Sequence, residues 1–239
     1  MVYLGDTARI PYGTRSPVTV RRYAMEDAAF LMSRHIKLLV VACNTVSSVA
    51  MELLRDSLPI PVIGMIEPGA RRAAQVSRSG KIGVIGTEAT VGSGAYKSAI
   101  GAIRPDAYVV ERSCPLFVPL TEEGWAAHKV AEMVAAEYLA PFRAIGIDTL
   151  VLGCTHYPIL RPLIQKIVGP DVYLVDSGAS AAAEVERLLR DRELTADTVE
   201  PPETQFCVTD FGDRFRRVAE IFLGQPMDHP ETVDLWGKQ

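Results

Sequence analysis

Four cysteines punctuate this chain of 239 residues, and two of them sit in matching surroundings. The segment Ile36-Lys37-Leu38-Leu39-Val40-Val41-Ala42-Cys43-Asn44-Thr45 aligns with Ile147-Asp148-Thr149-Leu150-Val151-Leu152-Gly153-Cys154-Thr155-His156, so Cys43 and Cys154 occupy equivalent points of a repeat with an offset of 111 residues. Each closes an apolar run, follows a small residue and precedes a polar pair. A thiol at the start of a helix faces unpaired backbone N–H groups and the positive end of the helix dipole, which favour thiolate over thiol. Two such thiols on opposite sides of one small ligand can divide a reaction between them. One thiolate removes a proton from carbon while the other thiol delivers a proton to the opposite face, which inverts the stereocentre without a cofactor. Asn44, Thr45, Thr155 and His156 add donors suited to a carboxylate and an ammonium group. Cys114, ahead of Pro115 in a loop, and Cys207, inside a strand pattern, read as structural and stay outside the expected site. No C-x-x-C pair and no ligand-like cluster of histidine, cysteine and carboxylate points to a metal, and none is expected.

The elements that must position these thiols follow from periodicity. Apolar runs of strand length at 36–41, 61–66, 81–86, 107–110, 149–152, 172–175 and 205–208 alternate with helical patterns that include 45–56, 68–77, 127–145, 179–193 and 212–223. Short β-branched runs alternating with amphipathic helices predict an α/β fold of parallel sheets flanked by helices. In such sheets ligands gather at the carboxyl ends of strands, where both cysteines fall. The repeat extends further, because Val62-Ile63-Gly64-Met65-Ile66-Glu67-Pro68-Gly69-Ala70 resembles Tyr173-Leu174-Val175-Asp176-Ser177-Gly178-Ala179. Val2-Tyr3-Leu4-Gly5-Asp6 likewise matches Tyr108-Val109-Val110-Glu111 in type. Two similar lobes related by pseudo-twofold symmetry are expected, with the site in the cleft between them. The second copy has a strand and a helix at 81–106, whereas the first has only Met1 ahead of Val2. Relative to its own repeat, the chain is expected to lack a strand–helix unit of about two dozen residues at its start. Residues 225–239, with two prolines and scattered charges, read as a loosely held tail.

Composition narrows the class. With 48% hydrophobic and 23% charged residues the chain can bury a sizeable core, so disordered and fibrous readings are excluded. The formal net charge of -4 is spread along the chain, and the basic pairs Arg21-Arg22, Arg71-Arg72 and Arg216-Arg217 are isolated, so no nucleic-acid partner is expected. No apolar stretch approaches the roughly 18–20 residues of a membrane span, and Met1–Asp6 lacks the features of a signal peptide; a cytoplasmic protein is expected.

Five segments taken together carry a family resemblance. Gly5-Asp6-Thr7-Ala8-Arg9-Ile10-Pro11-Tyr12-Gly13, Ala42-Cys43-Asn44-Thr45, Gly86-Thr87-Glu88-Ala89-Thr90, Cys114-Pro115-Leu116-Phe117-Val118-Pro119-Leu120 and Gly153-Cys154-Thr155-His156-Tyr157-Pro158 resemble, in order and spacing, the glutamate racemases of the aspartate/glutamate racemase superfamily. The resemblance spans nearly the whole chain. It implies pyridoxal-independent interconversion of L- and D-glutamate, supplying D-glutamate for peptidoglycan. Carried over by position, Cys43 resembles the thiol that deprotonates D-glutamate, Cys154 the one that deprotonates L-glutamate and His156 the group that assists Cys154. Glu122, in Leu120-Thr121-Glu122-Glu123-Gly124, matches a carboxylate implicated in catalysis. Pro11, Tyr12, Gly13, Asn44, Thr45, Thr87, Thr90, Thr155 and His156 match positions that line the substrate pocket. The partner implied is glutamate itself, with a homodimer as the assembly. By the same resemblance the first lobe takes 1–67 with 178–239, and the second takes 68–177.

One departure stands out. The family opens with a strand and an Asp-Ser-Gly loop whose aspartate assists the first cysteine and whose serine contacts substrate, and neither residue exists here. The gap coincides with the unit missing from the repeat, which leads to the expectation that the true start lies upstream of Met1. Two rival readings are a racemase for another amino acid, such as aspartate, and a glutamate-binding protein without turnover. A thiol hydrolase fits less well, because it needs one cysteine with one oriented histidine and leaves the second thiol unexplained.

Overall fold

In chain order the strands are β1 (Val2–Gly5), β2 (Leu39–Val40), β3 (Val62–Ile63), β4 (Lys81–Gly86), β5 (Tyr108–Ser113), β6 (Thr149–Gly153), β7 (Tyr173–Asp176), β8 (Gln205–Val208) and β9 (Glu231–Thr232). They come from a computed structural model that describes residues 1–196 and 203–236. Every strand pairing is parallel, as the alternation of strand and helix predicts. The largest sheet has the order β5-β4-β6-β7, a second β1-β8-β9, and a third consists of β2 and β3.

Residues of opposite parity along the four-stranded sheet build its two cores. Ile85, Leu150, Leu152 and Leu174 pack under the helices Lys129–Ile145 and Arg161–Val168, which add Leu139, Phe142 and Ile164. Ile82, Val84, Val151 and Val175 face the other way, against Ile66, Ala70 and Ala73 of the helix Ile66–Val76 and Tyr96 and Ile100 of the helix Ala95–Ile103. A third cluster packs Val20, Ala24 and Ala28 of the helix Pro17–Ser33 against Leu39, Val41 and Val62. No helix among the described residues is long and apolar enough to cross a membrane.

Two expectations change in detail. The helix expected at 45–56 is two, Asn44–Val49 and Met51–Ser57, broken at Ala50. Its first half is rich in serine, threonine and valine, which hold helix weakly, and Ser48 Oγ bonds back to the Thr45 carbonyl while Ser47 Oγ donates to that of Val41. The tail expected from 225 is partly anchored, because β9 joins β8 and Val233 is buried; residues 237–239 lie outside the described residues.

The repeat also shows where its two copies diverge. β4 lies between β5 and β6, but among the described residues no strand lies between their counterparts β1 and β2. Val40 is 40% exposed there, while its repeat mate Val151 is fully buried.

Candidate active site

The site is built at the carboxyl ends of the strands. Cys43 follows β2 and caps the helix Asn44–Val49, so it sits where the sequence places it. Burial holds its thiol above the ordinary pKa, the Val46 and Thr45 amides and the Thr45 hydroxyl favour the thiolate, and negative charge on Cys154 opposes it. The last of these places the two repeat-related sulfurs within electrostatic reach. Charge on one sulfur disfavours ionising the other, so the doubly ionised pair is the state this arrangement opposes.

Cys154 follows β6 but does not start an α-helix. Tyr157–Leu160 form a 3-10 turn, and the α-helix begins at Arg161. Pro158 and Pro162 supply no amide hydrogens, and the chain closes tighter bonds such as Tyr157 N–H to the Cys154 carbonyl at 3.2 Å. What supports Cys154 is a file of side chains instead. His156 Nδ1 lies 3.8 Å from Cys154 Sγ, and His156 Nε2 lies 3.2 Å from Glu122 Oε1. Burial would lower the His156 pKa, but the hydrogen bonds and charge interactions with Cys154 and Glu122 outweigh it and raise it to about 9. Glu122 is held below the usual carboxylate range by His156, against the effect of burial, and by Arg214, whose Nη2 donates to Glu122 Oε2 at 2.9 Å.

Next to Cys43, hydroxyls from the ends of β2 and β4 gather into one cluster. Thr87, after β4, caps its helix by accepting from the Thr90 amide and pairs with the Thr45 hydroxyl at 2.9 Å and the Thr90 hydroxyl at 3.0 Å. Gly13 packs directly on this cluster, since a Cβ there would stand 2.7 Å from Thr87 Cβ. The expected residues Tyr12, Gly13, Asn44, Thr45, Thr87 and Thr90 are thereby brought to one place, while Pro11 and Thr155 are exposed. Asn44 has a second occupation: it accepts from Tyr96 Oη at 2.7 Å and donates to Ser177 Oγ at 3.1 Å, which latches the Cys43 turn to the four-stranded sheet. Gly153 belongs to the same latch. A Cβ there would stand 2.6 Å from the Ile85 carbonyl oxygen and 3.1 Å from the Tyr96 ring, so only glycine allows the approach.

Outside the pair, Cys114 is fully buried, its thiol pushed by burial to about 12, and its carbonyl accepts from Tyr157 Oη at 2.9 Å. Cys207 is equally buried. The sequence reading missed the support of Tyr12. Its hydroxyl donates to Asp6 and reaches Asp27 Oδ2 at 3.2 Å, and Arg9 pairs with Asp6, Glu26 and Asp27. Tyr96, Ser177 and Arg214 were also missed. No local motif marks any of them.

Two repeat-related thiols follow matching strands, and one of them is backed by an imidazole and a carboxylate. The chain belongs to the Asp/Glu/Hydantoin racemase family, whose model matches residues 2–185. It is 55% identical over 234 residues to a glutamate racemase of Geobacter metallireducens, spanning 98% of this chain and 87% of that protein. Among solved structures, a glutamate racemase isoform of Bacillus anthracis superposes with a TM-score of 0.95 at 37% identity, covering 99% of this chain and 88% of the other. The Francisella tularensis glutamate racemase in complex with D-glutamate gives 0.92 at 39% identity, with the same coverage.

Proposed function

We propose that this chain interconverts L- and D-glutamate by a two-thiol mechanism, supplying D-glutamate for peptidoglycan in the cytoplasm. The observation that carries the mechanism is the pair Cys43 and Cys154, related by the repeat, both at strand ends and electrostatically coupled. Glutamate as the substrate rests on the relatives named above.

From L-glutamate, the Cys154 thiolate takes the α-proton, the electron pair left on carbon delocalises into the carboxylate, and the Cys43 thiol protonates the opposite face. From D-glutamate the roles reverse. Each turnover leaves the opposite thiol ionised, which the enzyme resets by proton exchange with solvent. His156, held by Glu122, steadies charge on Cys154; the Thr45, Thr87 and Thr90 hydroxyls and the Cys43 turn offer donors to the substrate. Neither metal nor pyridoxal phosphate takes part in this scheme. We assign 1–67 with 178–239 to one lobe and 68–177 to the other, and a homodimer as the assembly.

Circular dichroism of L-glutamate incubated with the purified chain is the first test, with a signal decaying to zero expected. In deuterated water each enantiomer should gain deuterium at the α-carbon as it inverts, and Cys43→Ser or Cys154→Ser should abolish inversion, since the hydroxyl is a far weaker base near neutral pH. Near-normal racemisation by either variant, or activity lost to EDTA and restored by a metal, overturns the mechanism. Faster inversion of aspartate than of glutamate favours the other-substrate reading. Thermal stabilisation by glutamate without inversion favours the binding reading.

A further inference from the structure

The file behind Cys154 does not end at Glu122. Glu122 closes the short helix Phe117–Glu122, and its two carboxylate oxygens are divided between His156 Nε2 at 3.2 Å and Arg214 Nη2 at 2.9 Å. The same Arg214 nitrogen stands 3.8 Å from Glu123 Oε1. A carboxylate at the end of a helix can turn about its side-chain torsions, and a single contact to an imidazole fixes it poorly. With one oxygen tied to a guanidinium, the other is fixed on the ring.

We propose that Arg214 is a positioning residue for racemisation: it anchors Glu122 so that Glu122 orients the His156 imidazole toward Cys154. The proposal rests on the racemase reading for its consequence and on the geometry of four side chains for its cause. Among the described residues, the groups facing the relay are few. Glu122 meets His156 and Arg214, Arg214 meets Glu122 and Glu123, and His156 meets Cys154 and Glu122 with the Phe222 ring edge-on, centroids 6.4 Å apart. Arg214 and Phe222 belong to one helix, Gly212–Leu223, which has no buried residue of its own. Through these two side chains a lightly packed helix near the C-terminus reaches the proton-transfer site.

The test uses the full chain with Arg214→Gln and Arg214→Lys. Arg214 is half exposed, so both variants are expected to fold, which a melting curve checks. Losing the anchor should lower kcat/KM about tenfold in Arg214→Gln while KM moves by less than about twofold. The loss must be equal in both directions, because the equilibrium constant between enantiomers is one. Arg214→Lys, which keeps a charged donor, should recover most of it.

The readout that a merely structural or long-range role would not produce is the His156 titration, followed by NMR of its ring protons. If Arg214 anchors Glu122, its removal lets the carboxylate leave the ring and the His156 pKa falls from about 9 toward its ordinary 6.5. If Arg214 is only a nearby positive charge, its removal strengthens the pull of Glu122 and the pKa stays or rises. Unchanged rates, or a His156 pKa at or above wild type in Arg214→Gln, overturn the proposal. A wild-type chain that fails to invert glutamate sinks the functional reading alone, since the titration still decides the role of Arg214.

Discussion

His156 shows how one side chain ties stability to pH. Its folded-state pKa of about 9 stands above the ordinary 6.5, so the interactions with Cys154 and Glu122 stabilise the fold fully below about 6.5 and are lost as pH rises through 9. Melting temperatures of wild type and His156→Gln should therefore differ most near pH 6 and converge near pH 10. A gap that widens with pH contradicts this assignment. Inversion should weaken over the same alkaline range, because a neutral imidazole no longer steadies charge on Cys154.

At the scale of elements, the site depends on two segments touching with no side chain between them. The 3-10 turn Tyr12–Thr14 rests against the cap of the helix Glu88–Gly92 because Gly13 lacks a Cβ. Gly13→Ala must push the turn off Thr87 and disturb the Thr45–Thr87 hydrogen bond. Overpacking of this kind costs about 1–3 kcal/mol, and urea unfolding should show it together with a raised KM for glutamate. The comparison is Gly101→Ala, in the helix Ala95–Ile103 with nothing within 4 Å of the added carbon. That change should stabilise by about 0.5–1 kcal/mol through helix propensity alone. Equal effects of the two substitutions would mean that the turn yields without consequence for the site.

Across the whole molecule, one charged network gathers distant parts of the chain. Asp6 and Arg9 after β1, Tyr12, Glu26 and Asp27 of the helix Pro17–Ser33, Thr209 after β8 and Trp236 near the C-terminus meet through Arg9, whose guanidinium lies over the Tyr23 and Trp236 rings. Three carboxylates around one guanidinium are more negative charge than it neutralises. Burial and the Asp6 charge raise the Asp27 pKa to about 7, against the pull of Arg9. A raised folded-state pKa means that this group favours the fold at low pH and that the benefit is lost as pH climbs through 7. Asp27→Asn keeps an acceptor for Arg9 and removes the excess charge. It should stabilise the chain by about 1–2 kcal/mol at pH 8 and by much less at pH 5, as measured by urea unfolding at the two values. A gain that is larger at pH 5 contradicts the direction of the shift.

Much of this arrangement is legible in the sequence, and the division has a physical cause. Strand length, helix period, the Thr87 cap and the repeat that pairs Cys43 with Cys154 are encoded in neighbouring residues, because backbone hydrogen bonding and helix capping act over a few positions. The α/β class, the parallel pairing and the helix Gly212–Leu223 could therefore be read directly. The two short helices after Cys43 and the 3-10 turn after Cys154 were not, since weak helix formers and paired prolines shift a balance that packing then settles. Arg214 meets Glu122 across 92 residues and Asn44 meets Ser177 across 133, contacts that leave no period and no spacing to find. Only the tertiary structure decides which charged side chain stands behind His156 and which hydroxyls lock the thiol turns, because those choices are made by distance in space between residues that the chain keeps far apart.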